Sequence, residues 1–244
     1  MSLWKYSNPS KFLTTSERIL PWVWTLAAIC LIGGLVWGFF FTPDDYRMGS
    51  TVKIFYLHVP AALMAINAWL MMLIASLIWL IRRHHVSALA ARAAAPVGAA
   101  MTVIALVTGA IWGKPMWGTW WDWDPRLTSE LVLLFMYLGV IGLYSAIEDR
   151  RAAARAASFL AIVGVALLPV IRYSVEWWNS LHQGATIKLF GESTMDASMA
   201  WPLWVMVFAT KFWFVGSLLQ RARADNLERE AGKDWARASV EKRP

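Results

Sequence analysis

Six long, uninterrupted apolar stretches limit what this 244-residue sequence can fold into. Their approximate bounds are 19–41, 59–81, 94–112, 127–147, 156–175 and 200–219. A stretch of roughly 18 or more apolar residues is typical of a helix that crosses a lipid bilayer. Only 16% of the residues are charged, whereas an ordinary soluble domain has about 25%. The sequence therefore predicts an all-α integral membrane protein with six transmembrane helices.

The connections between the apolar stretches are too short to form a separate soluble domain, so we expect residues 1–244 to form a single membrane domain. The first stretch differs from a cleaved signal peptide. It is longer than a typical signal core, 18 residues precede it, and no small-residue cleavage site follows it. We therefore interpret it as a permanent first span.

Lysine and arginine are distributed unevenly between the two sides of the membrane. Both termini and the second and fourth connections together contain sixteen basic residues, including seven in the tail at 221–244. Because cytoplasmic loops are enriched in Lys and Arg, we expect both termini in the cytoplasm of a bacterium and the protein in its inner membrane. The net charge of +7 follows from this asymmetry and from a tail suited to anionic lipids, without a nucleic acid partner. The six basic residues predicted on the periplasmic side are Arg47, Lys53, Lys114, Arg126, Arg172 and Lys188.

The predicted periplasmic loop between the third and fourth spans, residues 113–127, has the densest aromatic cluster in the chain. Residues 117–126 read WGTWWDWDPR. One interpretation is an aromatic belt at the membrane surface. A belt, however, does not require four tryptophans within seven residues of one loop. Indoles can also stack on a flat porphyrin or line its edge, so the loop is a candidate binding surface for such a ring.

The charged residues of the same loop fit this second interpretation. Arg126 is the natural partner for porphyrin propionates, and Lys53 and Lys114 are weaker candidates. Asp122 and Asp124 cannot pair with propionates, so we expect them to orient Arg126 or to cap the fourth helix. Pro125 after Asp124 is typical of the first residue of a helix.

Two of the four histidines, His58 and His182, belong to the predicted periplasmic side. Either one alone could be an ordinary polar residue at the membrane surface. Together they flank the aromatic loop in sequence, and two imidazoles on opposite faces of a ring are a common way to hold porphyrin iron. Pro60 suggests that a helix begins or kinks there and fixes the depth of His58. The remaining pair, His84 and His85, is interpreted as part of a polar cytoplasmic loop.

The cysteine count excludes several other kinds of site. Cys30 is the only cysteine, so an intrachain disulfide, a CxxC redox pair and the CxxCH attachment site of c-type heme are all ruled out within the chain. Zinc is less favoured than heme, because a closed zinc site requires four ligands.

Three separated motifs, FYLHVPAA, WGTWWDWDPRLTSEL and SVEWWNSLHQG, resemble in their order and predicted topology the heme exporter protein C family. This family, also called cytochrome c maturation protein C (CcmC), consists of WWD-domain heme-handling membrane proteins. The resemblance extends over nearly the whole chain. Pro125 stands where the family commonly has alanine, and proline suits a helix start.

The resemblance implies a site and a function. His58 and His182 would be the axial ligands of the iron of heme b. The edge of the heme would be held by the WWD loop. The heme would pass to the periplasmic heme chaperone CcmE with the help of the small membrane protein CcmD and the ABC transporter CcmAB, which is heme transfer and not enzymatic turnover. The loop residues implied are Trp117, Gly118, Trp120, Trp121, Asp122, Trp123, Asp124 and Arg126.

Two alternatives belong to other functional classes. A b-type heme subunit of a membrane oxidoreductase usually carries its histidines inside the spans, and no histidine here lies in the middle of one. A purely structural membrane subunit would need only packing partners for the intramembrane charges Glu130 and Lys211. The larger heme lyases share the WWD stretch but have more spans than this chain.

Overall fold

The computed structural model describes residues 8–182 and 195–241, and the secondary-structure elements in these ranges are helices. The all-α prediction is therefore confirmed. A short 3-10 helix, Ser50–Ile54, leads directly into the second α-helix. The α-helices are α1 (Pro9–Phe40), α2 (Phe55–Arg82), α3 (His85–Trp117), α4 (Pro125–Ala146), α5 (Arg150–Gly164), α6 (Leu167–Trp177), α7 (Ala197–Arg229) and α8 (Asp234–Glu241).

Six helical segments within the described ranges are long and apolar enough to cross a membrane, as the sequence predicts. They are α1, α2 with its preceding 3-10 helix, α3, α4, the pair α5 and α6, and α7. Several of these helices extend beyond their apolar stretch. α1, for example, begins at Pro9, where the side chain of Asn8 accepts a hydrogen bond from the Lys11 N–H at 3.2 Å. Capping and backbone hydrogen bonds thus extend α1 beyond the stretch that is apolar enough to lie in the membrane.

The fifth span is divided into α5 and α6 by a local break. Proline lacks an N–H, and its ring collides with the carbonyl group four residues earlier in a regular helix. For Pro169 that carbonyl belongs to Val165, where α5 has just ended. The backbone N–H groups of Val165, Ala166 and Leu168 instead bond three residues back, at 3.3, 3.3 and 3.1 Å. The proline thus explains the tighter turn between the two helices.

The centre of the bundle is formed by α2, α3, α4 and α5. Trp69 and Tyr137 are fully buried and pack edge to face, with ring centroids 4.7 Å apart. The Tyr137 hydroxyl donates to the Ala65 carbonyl oxygen at 2.6 Å, and the Trp69 indole N–H donates to the Ala161 carbonyl oxygen at 3.0 Å. Because each buried polar tip has a partner, the two rings join three helices without leaving an unsatisfied group.

The first and last transmembrane helices, α1 and α7, pack against each other. α7 continues past its apolar stretch to Arg229, and its buried Arg223 donates to the Leu13 carbonyl oxygen and, at 2.8 Å, to the Ser16 hydroxyl. Asn226 donates to the Pro9 carbonyl oxygen at 3.0 Å. The early part of the basic tail therefore anchors the beginning of α1.

The histidine pair at the start of α3 has a structural role at this same end of the molecule. His84 caps α3, because its Nδ1 accepts the Ser87 N–H at 3.3 Å. His85 donates through Nε2 to the Asn226 side-chain oxygen at 3.1 Å and accepts from Arg229 at Nδ1 at 2.6 Å. His84 therefore caps the first turn of α3, and His85 links α3 to α7.

The membrane orientation gives a direct prediction. In a Cys30→Ala background, a cysteine at the highly exposed Tyr46 should react with a membrane-impermeant thiol reagent in intact spheroplasts. A cysteine at Arg151, which is exposed at the opposite end, should react only after lysis. The reverse pattern would show that the termini face the periplasm.

Candidate functional site

His58 lies in the first turn of α2, which begins at Phe55. Of the two expectations for Pro60, a helix start or a kink, the helix start is therefore wrong, because α2 begins five residues earlier. The preceding 3-10 helix runs straight into α2, and the buried ring of Tyr56 anchors this turn by donating to the Met199 carbonyl oxygen at 3.3 Å. Proline so near the helix start removes only one intrahelical hydrogen bond. His58 is consequently held by a helix.

The ring of His58 is oriented by α3. Its Nδ1 lies 2.9 Å from the Ala105 carbonyl oxygen and 3.2 Å from the Thr108 hydroxyl oxygen. A carbonyl oxygen can only accept, so Nδ1 carries the proton and donates. In the neutral ring, Nε2 then keeps its lone pair and makes no hydrogen bond to any described residue. This is the arrangement in which a histidine binds a metal.

Gly109 leaves room for this imidazole. A Cβ atom at position 109 would lie 3.1 Å from Cε1 and 3.4 Å from Nδ1 of His58. The first distance is tighter than ordinary van der Waals contact, so a side chain there would push the ring away from Ala105. The glycine therefore helps α3 to set the position of His58.

His182 follows α6 in the chain and is oriented by a carboxylate. Its Nδ1 lies 3.1 Å from Oδ2 of Asp124, and the Ser180 hydroxyl donates to the same oxygen at 2.6 Å. The Ser180 oxygen also accepts the His182 backbone N–H at 3.1 Å. Nδ1 thus donates to Asp124, and Nε2 of His182, like that of His58, has no hydrogen-bond partner among the described residues.

Asp124 is the N-cap of α4, as the sequence indicates, and its Oδ1 accepts the Leu127 N–H at 2.7 Å. The residue is only 6% exposed. Burial by itself would raise the pKa of Asp124, but the hydrogen bonds from His182, Ser180 and Leu127 outweigh it and hold the pKa well below its ordinary value. Asp124 is therefore a charged acceptor for His182 at neutral pH.

The aromatic residues of the WWD loop fall into two groups. Trp117 contacts the ring of His182 edge-on, with centroids 4.8 Å apart, and also the ring of Trp112 at 5.2 Å. Trp120 and Trp123 are 58% and 73% exposed. Trp117 therefore supports His182, whereas Trp120 and Trp123 expose flat apolar rings on the surface.

Gly118 makes the turn between α3 and this loop. Its φ of +77° lies in the left-handed region, which glycine adopts without strain, and its N–H bonds the Lys114 carbonyl oxygen at 3.1 Å. The turn redirects the chain immediately after Trp117. Trp121 and Trp123 then pack edge to face, with centroids 5.4 Å apart.

The basic residues proposed for the propionates differ in availability. Lys53 pairs with Asp44 at 3.3 Å, and Lys114 donates to the Gly118 carbonyl oxygen at 3.0 Å. Arg126, half-buried in the first turn of α4, forms no ion pair or side-chain hydrogen bond with any residue in 8–182 or 195–241. Asp122 and Asp124 likewise make no ion pair with Arg126 within those ranges. Arg126 is therefore the cation whose guanidinium is available.

The structure brings the predicted groups near each other. His58 interacts electrostatically with both His182 and Arg126. Arg126 interacts in the same way with Arg172, which forms an ion pair at 3.8 Å with Glu176, four residues later in the chain. Arg126 and Arg172 thus place two guanidinium groups near the neutral imidazoles, and Glu130 and Asp124 also interact with Arg126. The guanidinium groups are the charges that an anionic ligand could use.

These features fit a heme. Two ring nitrogens without described partners can coordinate iron. The guanidinium of Arg126 can pair with a propionate, and Arg172, which is ion-paired with Glu176 at 3.8 Å, lies near it. The indole N–H of Trp121 is buried without a hydrogen-bond partner among the described residues, so it is a further donor that a ligand could satisfy.

The sequence prediction did not include several residues that the structure adds to this site. They act through a backbone carbonyl, a missing side chain, a neighbouring hydroxyl or, for Arg172, a second guanidinium. Only Ser180, two residues before His182, had a local signal. The added residues are Ala105, Thr108, Gly109, Arg172 and Ser180.

Comparison with known proteins identifies the family of the chain. The sequence model of the family described as heme exporter protein C matches residues 2–237. Heme exporter protein C of Paracoccus denitrificans (strain Pd 1222) is 57% identical over 92% of this chain and 93% of that protein. The Rhodobacter capsulatus protein of the same name is 55% identical over 92% and 93%. The Escherichia coli (strain K12) protein of that name is 46% identical over 99% and 98%. The chain therefore belongs to the heme exporter protein C family.

Proposed function

We propose that this protein binds heme b at the periplasmic end of its transmembrane bundle and delivers it to a heme chaperone during c-type cytochrome biogenesis. Membership of the heme exporter protein C family supports heme handling in general. The observation that supports the proposal most directly is that His58 and His182 have the same hydrogen-bonding pattern. Each donates through Nδ1 to a protein acceptor and has no described partner at Nε2.

The two histidines would hold the iron from opposite faces of the porphyrin. Because Ala105 and Asp124 already orient the rings, binding requires little rearrangement of either side chain. Coordination by two imidazoles fills both axial positions of the iron. Such a heme has no open position for a substrate or oxygen, which suits a carrier of heme better than a catalyst.

The WWD loop would hold the edge of the ring. Trp117 and Trp121 are half-buried and can line it, while Arg126, with Arg172 beside it, would pair with the propionates. The exposed indoles of Trp120 and Trp123 would remain accessible to the receiving protein. We propose the periplasmic chaperone CcmE as that receiver, with CcmD and the transporter CcmAB as further partners in the inner membrane.

The geometry supports the oxidoreductase alternative less well. His58 lies in the first turn of α2, and His182 lies after the end of α6. Electron transfer across a bilayer usually requires hemes stacked at different depths, with ligands inside the helices. A pair of ligands at one end of the bundle suits a single heme near the membrane surface.

The direct test is heme binding by the purified full-length protein, followed by transfer. Added heme should give a six-coordinate, low-spin absorbance spectrum. Mixing with the purified chaperone should then move heme from one protein to the other. A protein that binds no heme, or that binds it without any transfer, would contradict the proposal.

A second test concerns the edge of the heme. Arg126→Ala should speed heme loss about tenfold or more, because a charge-assisted hydrogen bond contributes roughly 1.5–3 kcal/mol. Trp120→Ala should also weaken retention, because an apolar contact with the ring is lost. Both variants should keep the six-coordinate spectrum, since neither removes a ligand.

The matched control is Trp22→Ala, which removes a tryptophan that is even more exposed than Trp120, from α1. Heme retention after gel filtration, together with transfer to the chaperone, measures the effect. If the Arg126 and Trp120 variants both behaved like Trp22→Ala, the aromatic-belt interpretation of the loop would be favoured instead.

A further inference from the structure

Within the apolar stretch 200–219, α7 exposes a single stripe of side chains, and one of them is a lysine. The exposed residues recur at alternating intervals of three and four, so they lie on one face of the helix. The residues between them, such as Leu203, Met206 and Val207, are buried in the bundle. The stripe consists of Trp201, Trp204, Phe208, Lys211 and Val215.

Lys211 occupies the middle of the span. Trp201 lies ten residues before it and Arg221 ten residues after it, which places each about 15 Å away along the helix. The resulting length of roughly 30 Å equals the thickness of the hydrocarbon core. Tryptophan and arginine favour the two membrane surfaces, so Lys211 lies near the midplane. A lysine side chain is less than half as long as the distance to either surface, so its ammonium group cannot reach water by extending.

Nothing in the described chain neutralises this charge. No residue in 8–182 or 195–241 forms an ion pair or side-chain hydrogen bond with Lys211. Glu130 is the only carboxyl group within the six apolar stretches. It is 7% exposed and lies in the second turn of α4, away from the middle of the bilayer. An exposed charge in hydrocarbon is costly, and such residues normally pair or serve a function.

A second copy of this chain is a poor candidate to cover the stripe. It has no exposed carboxyl group at the midplane to offer, because Glu130 is buried. Two copies packed symmetrically through this face would also bring Lys211 against Lys211, and like charges repel strongly in a low-dielectric medium.

We propose that the stripe on α7 is the docking surface for a transmembrane helix of a different protein, which carries an aspartate or glutamate opposite Lys211. Trp204, Phe208 and Val215 would supply the packing surface, and the ion pair would fix the depth and register of the partner helix. This inference is independent of the proposed heme site, because it concerns another part of the molecule.

Site-specific cross-linking tests which molecule contacts the stripe on α7. A benzophenone amino acid is placed at Phe208, and in a matched control at Phe135, a slightly more exposed phenylalanine on α4. The full-length chain is irradiated in native membranes, and the adducts are sequenced by mass spectrometry. Position 208 should cross-link to an apolar segment with an Asp or Glu near its centre, and position 135 should not. Adducts with lipid alone, with a second copy of this chain, or with a segment lacking an acidic residue would overturn the proposal.

Charge substitutions test the ion pair. Lys211→Glu should lower the cross-linking yield at position 208 by at least about tenfold, because it places two negative charges together. Lys211→Met should lower the yield less, and Lys211→Arg should retain it. Changing the partner's acidic residue to lysine should restore cross-linking to Lys211→Glu. An unchanged yield with Lys211→Glu would refute the proposal.

Recording the heme spectrum of the unsubstituted protein in parallel separates the two ideas. A failure of heme binding would count against the proposed function alone. A normal heme spectrum without a charge-dependent cross-link would count against the docking surface alone.

Discussion

Replacing both His58 and His182 with glycine should abolish the six-coordinate, low-spin heme spectrum of the purified protein. Each single replacement should open one axial position and leave a cavity about the size of an imidazole, because the groups that orient the ring remain in place. Added imidazole should refill that position and restore part of the spectrum and of the transfer to the chaperone. The two sites need not respond equally, since His58 belongs to a helix and His182 follows one.

Replacing His84 and His85 together provides the control for the histidine variants. These residues contact Ser87, Asn226 and Arg229 at the other end of α3, so the heme spectrum should not change. A low-spin spectrum in the His58→Gly, His182→Gly double variant without imidazole would show that the iron is held by other ligands.

Asp124→Asn should weaken heme binding by about 10- to 100-fold, the range typical when the partner of a metal-bound histidine is lost. Asparagine is as good an N-cap as aspartate, so α4 should still begin at Pro125. Its amide, however, has a single oxygen, which the Leu127 N–H can occupy. The NH₂ group would then face two donors, the Ser180 hydroxyl and Nδ1 of His182, so the histidine would lose its fixed tautomer and orientation.

The spectroscopic consequence separates this role from a loss of folding. Removing the negative charge beside His182 should shift the midpoint potential of the heme upward, because an anionic partner stabilises the ferric state. Thr108→Val is the matched control on the other ligand. His58 would keep its hydrogen bond to the Ala105 carbonyl oxygen, so both affinity and potential should change less. Equal effects of the two substitutions would contradict a special role for Asp124.

The transmembrane architecture could be predicted because a helix that crosses a bilayer needs a long run of apolar side chains, which is visible in the sequence. The six apolar stretches correspond to six helical segments. The ends of these helices could not be predicted in the same way. α1 begins at Pro9 and α2 at Phe55 because capping and backbone hydrogen bonds determine their first turns. The break after Gly164 depends on Pro169, five residues later. A proline in the sequence does not by itself show whether a helix bends or divides into two.

The candidate site was predictable only for residues whose side-chain type signals their chemistry. His58, His182 and Arg126 are visible as imidazoles and a guanidinium on one predicted side. Ala105 could not be identified, because it contributes a backbone carbonyl oxygen that depends on how α3 packs against α2. The sequence also indicated Asp124 as a helix cap. Its second oxygen binds His182, 58 residues later, through a contact that exists only in the folded bundle.

The pairing of α1 with α7 has a consequence for how the protein is made. Ribosomes synthesise α1 first and α7 last among the transmembrane helices, yet each is a main packing partner of the other. Only 17% of the residues in the most apolar part of α1 are buried in the finished bundle. Because α1 packs mainly against α7 and little against α2 or α3, we expect it to remain mostly surrounded by lipid until α7 has been synthesised. Its beginning is fastened only when Arg223 and Asn226 emerge and bind Leu13, Ser16 and Pro9. In a nascent chain that stops before α7, the central helices could still pack together, but α1 would lack its main packing partner.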